Sequence, residues 1–137
     1  VWLAERGLDV TLADVSEAGL ALAHVLAAAR GVTLSTVQVD LEAALPPPGP
    51  WDVVVISHFL HRPLLATIDE ILAPGGLLVA VHPTRSNLER HPKPSARFIL
   101  EDGELQTLLP PGLRIERYEE GWTEAGVHHA RAVARRP

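Results

Sequence analysis

Three places in this 137-residue chain set chemically capable side chains just past an apolar run. Asp14 follows Val10 and Leu12. A carboxylate at the end of a strand can accept hydrogen bonds from both hydroxyls of a ribose, which selects nucleosides. The same carboxylate, two residues before Ser16, serves equally well as part of a helix cap. Asp40, beside Leu41, follows a Val- and Thr-rich run. It is either a partner for an amino group of a base, with the leucine against the ring, or a solvated loop aspartate. The third place is Ser57-His58-Phe59-Leu60-His61-Arg62-Pro63, directly after Val53-Val54-Val55-Ile56. His58 and His61 have the chemistry of acid, base or orienting groups, and Arg62 that of an anion clamp. Helix-capping side chains on a surface loop are the plainer reading. No metal site is expected, because no carboxylate or third histidine stands near them at ligand spacing. His128 and His129 fall inside a predicted strand, where successive side chains face opposite ways, so the pair is read as structural.

The elements that position these residues follow from periodicity and breakers. Residues 1–6 read as the end of a helix stopped by Gly7, and residues 9–13 as a strand. Ser16 caps a helix whose Ala18, Leu22, Val25 and Ala29 recur at helical spacing until Gly31. Residues 32–41 read as a strand, and the proline-rich stretch 46–50 as neither helix nor central strand. The unbroken apolar run in 51–57 predicts a strand covered on both faces. Pro63 opens a helix carrying Leu64, Leu65, Ile68, Ile71 and Leu72, and Pro74-Gly75-Gly76 breaks it. Residues 77–81 form another buried strand, 82–97 a long loop or lid, and 101–109 a short helix. Residues 113–119 and 127–135 close the chain as an antiparallel hairpin. Strands alternating with helices predict an α/β domain, its sheet mostly parallel with helices on both faces, over residues 1–137.

Composition narrows the function classes. Hydrophobic residues make up 47% and charged residues 21%, the proportions of a globular domain. The net charge is −5 and the cations are dispersed, which argues against a nucleic-acid partner or an anionic membrane surface. Lys93 is the single lysine. The absence of cysteine excludes disulfides, thiolate metal sites and cysteine nucleophiles, and is compatible with a cytoplasmic setting. No apolar run reaches membrane-spanning length.

In this order, the elements resemble the class I S-adenosylmethionine-dependent methyltransferases, nearest the small bacterial tellurite-resistance type. The resemblance rests on W-L-A-E-R-G-L-D-V-T-L-A-D-V-S from Trp2 to Ser16, V-Q-V-D-L from Val37 to Leu41 and W-D-V-V-V-I-S from Trp51 to Ser57. It continues through L-H-R-P-L from Leu60 and L-A-P-G-G-L-L-V from Leu72 to the closing hairpin. It implies a Rossmann-like fold, S-adenosylmethionine as cofactor and a small-molecule methyl acceptor. By position, Asp14 would bind the ribose and Val15 would pack beside the adenine. Asp40 and Leu41 would hold the adenine edge and face, and Ser57 and His58 would line the methionine end. The acceptor is expected to meet residues 82–97 and the pair His61-Arg62.

Two departures accompany it. The family's opening strand and glycine-rich turn are not found in these residues, so the chain is expected to be truncated at its start. That predicts a gap or a rearranged pairing in the sheet, and impaired activity. Tellurite-type relatives also carry a His-Arg pair where this chain has Glu120-Gly121-Trp122-Thr123, which argues against tellurite as acceptor. The alternatives are a non-catalytic remnant, held by self-association or serving as an interaction module, and a nicotinamide-dependent reductase. The short-chain form of the reductase would need a Tyr and a Lys four apart, whereas Tyr118 and Lys93 are distant.

Overall fold

A computed structural model describes all 137 residues. The chain divides into two compact units, Val1–Pro48 and Gly49–Pro137.

In the first unit a short 3₁₀ turn, Ala4–Arg6, ends at Gly7, whose φ of 83° is the left-handed cap that glycine adopts without a side-chain clash. β1 (Thr11–Asp14) leads through Ser16 into α1 (Glu17–Ala29), and β2 (Ser35–Gln38) follows. The Ser16 hydroxyl accepts from the Gly19 N–H at 3.0 Å, the N-cap expected from its type. β1 and β2 pair in parallel, with Asp14 opposite Gln38. The helical period of α1 is as the sequence indicates, but the buried face differs. Leu20 and Ala27 are buried, while Leu22 and Val25 are 67% and 66% exposed. A two-stranded sheet is too narrow to cover a whole apolar stripe.

The second unit holds β3 (Trp51–Ser57), α2 (Arg62–Ala66), β4 (Leu72–Pro83), α3 (Glu104–Leu108), β5 (Arg114–Trp122) and β6 (His128–Arg135). Its sheet runs β3-β4-β6-β5, with β3 and β4 parallel and β6 antiparallel to both neighbours. The core gathers Leu65, Ile68, Leu72, Leu78, Leu100 and Leu105 with Ala130, Ala132 and Ala134 of β6. The alanines let the helices approach a central strand closely.

Several boundaries differ from expectation. The predicted helix from Leu64 to Leu72 is two pieces, α2 and a 3₁₀ turn at Ile68–Ile71. The predicted strand at 77–81 is longer, because β4 runs through Pro74-Gly75-Gly76. Trp51 pairs with Leu72 but Val53 with Leu77, so the surplus residues bulge out and pairing resumes. Residues 82–97 carry a 3₁₀ turn at Arg85–Glu89 and another at Ala96–Phe98 instead of an open loop. β3 pairs only with β4, and Val55 is 48% exposed, so β3 is an edge strand and not the doubly covered one expected. β1 likewise pairs only with β2. The strands thus form two separately hydrogen-bonded sheets, β1-β2 and β3-β4-β6-β5. The class is α/β and Rossmann-like, with a closing antiparallel hairpin.

Candidate functional site

Ligands of open α/β sheets bind beyond the carboxyl ends of the strands. In the first unit those ends bring four of the expected residues together. Asp14 closes β1, and its Oδ1 accepts from the Ser16 N–H at 2.8 Å, so the capping role is real. One oxygen remains outside that bond, and the side chain is exposed. The Asp14 carbonyl accepts from the Val39 N–H at 3.0 Å, and Gln38 Nε2 donates to the Val15 carbonyl at 3.3 Å. These bonds tie the end of β1 to the end of β2. Asp40 lies two residues past Gln38, and its Oδ1 accepts from the Glu42 N–H at 3.0 Å, leaving its carboxylate exposed too. Val15 is 61% exposed beside them, and Leu41 is half-buried. Two carboxylates with spare acceptor capacity beside an exposed and a half-buried apolar side chain suit a nucleoside, which offers hydroxyl donors on its ribose and an amino donor on a flat base. This acceptor set fits the adenosine part of S-adenosylmethionine.

In the second unit Ser57 ends β3 and His58 follows with φ of 56°, the left-handed region that a residue with a Cβ enters only under constraint. The constraint is visible: the His58 N–H donates to the Val81 carbonyl at 3.0 Å, continuing the parallel ladder past the strand end. Ser57 Oγ and His58 Nδ1 are in hydrogen-bonding contact at 2.9 Å. The His58 ring meets His129 edge to face, centroids 5.1 Å apart. Both rings line a cleft of about 380 Å³ with Asn87, His91, Lys93 and Val127, and three prolines (83, 92, 94) complete the wall.

The cleft wall is pinned. Asn87, buried, donates from Nδ2 to the Lys93 carbonyl at 3.2 Å and accepts at Oδ1 from the His128 N–H at 3.1 Å. His91 Nε2 donates to the Gly126 carbonyl at 2.7 Å, and the Thr84 N–H to the His128 carbonyl at 3.1 Å. The segment expected as a lid is therefore tied to the β5–β6 connection. His128 and His129 face opposite ways, as strand geometry requires. His128 contacts Thr84 Oγ1 at 2.5 Å and packs on Trp122, whereas His129 turns to the cleft. The pair is expected to be structural, yet His129 lines the cleft; alternation separates the two faces but does not say which face meets it. Burial pushes the imidazoles of His129 and His82 below their usual value, with further repulsion from His58.

Arg62 and His61 are placed differently. Arg62 forms a two-pronged ion pair with Glu104, Nε to Oε1 at 2.6 Å and NH2 to Oε2 at 2.9 Å. That contact holds the Glu104 carboxyl below the usual carboxylate range. The guanidinium joins α2 to α3 and is engaged as a brace, not presented as an anion clamp. His61 is the N-cap residue of α2, and its Nδ1 is buried without a hydrogen-bond partner. Glu120 accepts from the Gly103 N–H at 2.9 and 3.0 Å and from the Tyr118 hydroxyl. Trp122 lies under the Arg90 guanidinium at 3.8 Å. No cluster of three or more His, Asp or Glu side chains has the arrangement of a metal site, and no helix is long and apolar enough to cross a membrane.

The strand order and the helices between the strands define a Rossmann-like α/β protein. Residues 1–76, more than half the chain, match the methyltransferase domain family. The chain belongs to that family. Among solved structures it is similar to TehB from Haemophilus influenzae, at 23% identity over 99% of this chain and 52% of that one, TM-score 0.75. It is similar also to the PH0226 protein from Pyrococcus horikoshii OT3, at 15% identity over 99% of this chain and 75% of that one, TM-score 0.76. The N-methyltransferase NodS from Bradyrhizobium japonicum WM9, solved with S-adenosyl-L-homocysteine, matches at 19% identity over 94% of this chain and 67% of that one, TM-score 0.70. At these identities the likeness establishes the fold. The chain spans about half the length of TehB. No curated protein matches it.

Proposed function

We propose that residues 1–137 form one methyltransferase domain that binds S-adenosylmethionine and serves methyl transfer to a small-molecule acceptor. The observation that carries this is the placement of Asp14-Val15 and Asp40-Leu41 at and just past the carboxyl ends of two paired parallel strands, inside the segment that matches the family. Asp14 accepts from the ribose hydroxyls and Asp40 from the adenine amino group, while Val15 and Leu41 flank the ring. Ser57 and His58 attend the methionine end. When bound, the cofactor supplies a methyl group activated on a sulfonium. The protein's own task is alignment, from which such a transfer draws most of its rate. The acceptor meets residues 82–97, on the cleft side of His58.

These 137 residues by themselves bind the cofactor weakly, because none of them forms the glycine-rich turn that lets backbone approach the methionine part. Calorimetric titration with S-adenosylhomocysteine tests both statements. An N-terminally extended version, with a strand and glycine-rich turn, should bind at least tenfold more tightly than the 137 residues alone. Asp14→Asn in the extended version should lose about tenfold to a hundredfold, the worth of charge-assisted hydrogen bonds. Two folded proteins that both fail to bind would overturn the cofactor assignment and favour the non-catalytic reading.

A further inference from the structure

The cleft beside His58 has a one-sided chemistry. Its ionisable wall residues are three histidines and Lys93, and no carboxylate-bearing residue lines it. The rest of its lining is Val127, the prolines and the clipped Asn87. An ammonium-bearing acceptor would find no counter-charge there, whereas an oxygen acid would find a cation and bases. The volume of about 380 Å³ suits a small ligand.

The imidazoles are also oriented. The Gly126 carbonyl can only accept, so the neutral His91 ring carries its proton on Nε2 and its lone pair on Nδ1. His129 Nε2 is buried with no hydrogen-bond partner, which leaves Nδ1 as the nitrogen through which that ring meets a solute. His58 is exposed, and its Nδ1 is engaged by Ser57, so Nε2 is the free nitrogen. Asn87 is held in place as part of the lining, one N–H and one carbonyl lone pair of its amide being bonded within the wall.

We propose that this cleft takes a small, largely apolar acceptor bearing an ionisable hydroxyl of the phenol type, held as its oxyanion against Lys93 with an imidazole receiving the proton. In that step the acceptor's O–H bond breaks and an N–H bond forms on His58 Nε2, so the proton stays in the cleft and the charge on oxygen faces the ammonium. His91 and His129 supply the remaining polar contacts. Behind the wall, His82, His128 and Arg131 add only positive or neutral groups to the field at His129. Calling the bound molecule an acceptor rests on the methyl-transfer reading; the binding chemistry does not.

4-Nitrophenol tests it, since its ionised form is read directly by absorbance and no methyl donor is needed. The protein should bind it and lower its apparent pKa by about one unit, a tenfold shift toward the anion. Lys93→Gln should abolish most of that shift. His58→Asn, chosen because asparagine tolerates a positive φ, should weaken binding about tenfold. Benzylamine, a cation of similar size, should not compete. No shift with the unsubstituted protein, an equal shift in both variants, or displacement by benzylamine would overturn the proposal. Titration of the same protein with S-adenosylhomocysteine separates the failures, because a lost phenol site leaves that result standing and a lost cofactor site leaves the phenol shift standing.

Discussion

Asn87 holds the cleft wall together from within. Its amide closes two bonds inside the protein, one to the backbone of residue 93 and one to the start of β6. Asn87→Ala would leave a buried N–H and a carbonyl without partners. The expected loss is about 1–3 kcal/mol of stability, with faster amide exchange over residues 85–94, measured by urea unfolding and hydrogen exchange. Nothing in the sequence marks this asparagine, because a polar residue in a proline-rich stretch reads as solvated loop. The strand-end placement of Asp14 and Asp40 was legible because a carboxylate after an apolar run is a local pattern. His129 was not, since its role depends on which side of β6 meets the cleft. His82 yields a pH prediction. Its buried ring resists a proton that the unfolded chain takes up below about pH 6.5. Stability is therefore full above that pH and falls as pH drops toward the depressed native value. His129 acts in the same direction. The urea midpoint should decrease between about pH 7.5 and 5.5, and less steeply in His82→Gln, which removes one of the two resisting rings. Facing His82 are His58 and Arg62, both of which oppose its charge.

At the level of elements, periodicity and breakers placed every strand, yet Pro74-Gly75-Gly76 was read as a break where β4 absorbs it. The bulge works because Gly76 lies where a Cβ would come within 2.8 Å of the Ala73 carbonyl oxygen and 2.9 Å of that of Trp51. Both obstacles are backbone and neither can swing aside. Gly76→Ala is expected to cost about 2 kcal/mol or more by forcing the β3–β4 register to shift. Gly112→Ala, where the nearest atom is the Asp69 Oδ2 at 3.9 Å, serves as the control and should be near neutral. Thermal unfolding of the two variants decides it. Equal midpoints would mean that the bulge is soft and the register set elsewhere. The helical pattern from Leu64 to Leu72 shows the converse failure. The apolar spacing is correct for burial, since Leu65, Ile68 and Leu72 are all in the core. But a 3₁₀ turn presents the same side chains as a continuous helix would, so spacing alone did not reveal the change at Thr67.

For the whole molecule, the uneven distribution of buried residues sets the order in which structure is lost. The second unit owns nearly all of the buried apolar side chains; in the first only Leu20 and Ala27 belong to that set. α1, at 13 residues, is of a length that is marginal without tertiary burial, and it leaves Leu22, Val25 and Leu26 largely exposed. A unit of 48 residues with two short strands and one such helix has little to offset its chain entropy. Hydrogen exchange should therefore protect β4 and β6 most, and β1, β2 and α1 least, by at least about a hundredfold in rate. The cofactor reading adds a second expectation, because Asp14 ends one of these weakly protected strands and Asp40 lies two residues past the other. A ligand that binds only the ordered form stabilises it in proportion to its concentration over its dissociation constant. Saturating S-adenosylhomocysteine should raise protection of β1, β2 and the α1 N-terminus while leaving β4 and β6 unchanged. Uniform protection without ligand would show that the first unit is as stable as the second despite its sparse core. Ligand-induced protection confined to β5 and β6 would move the cofactor site away from the two carboxylates.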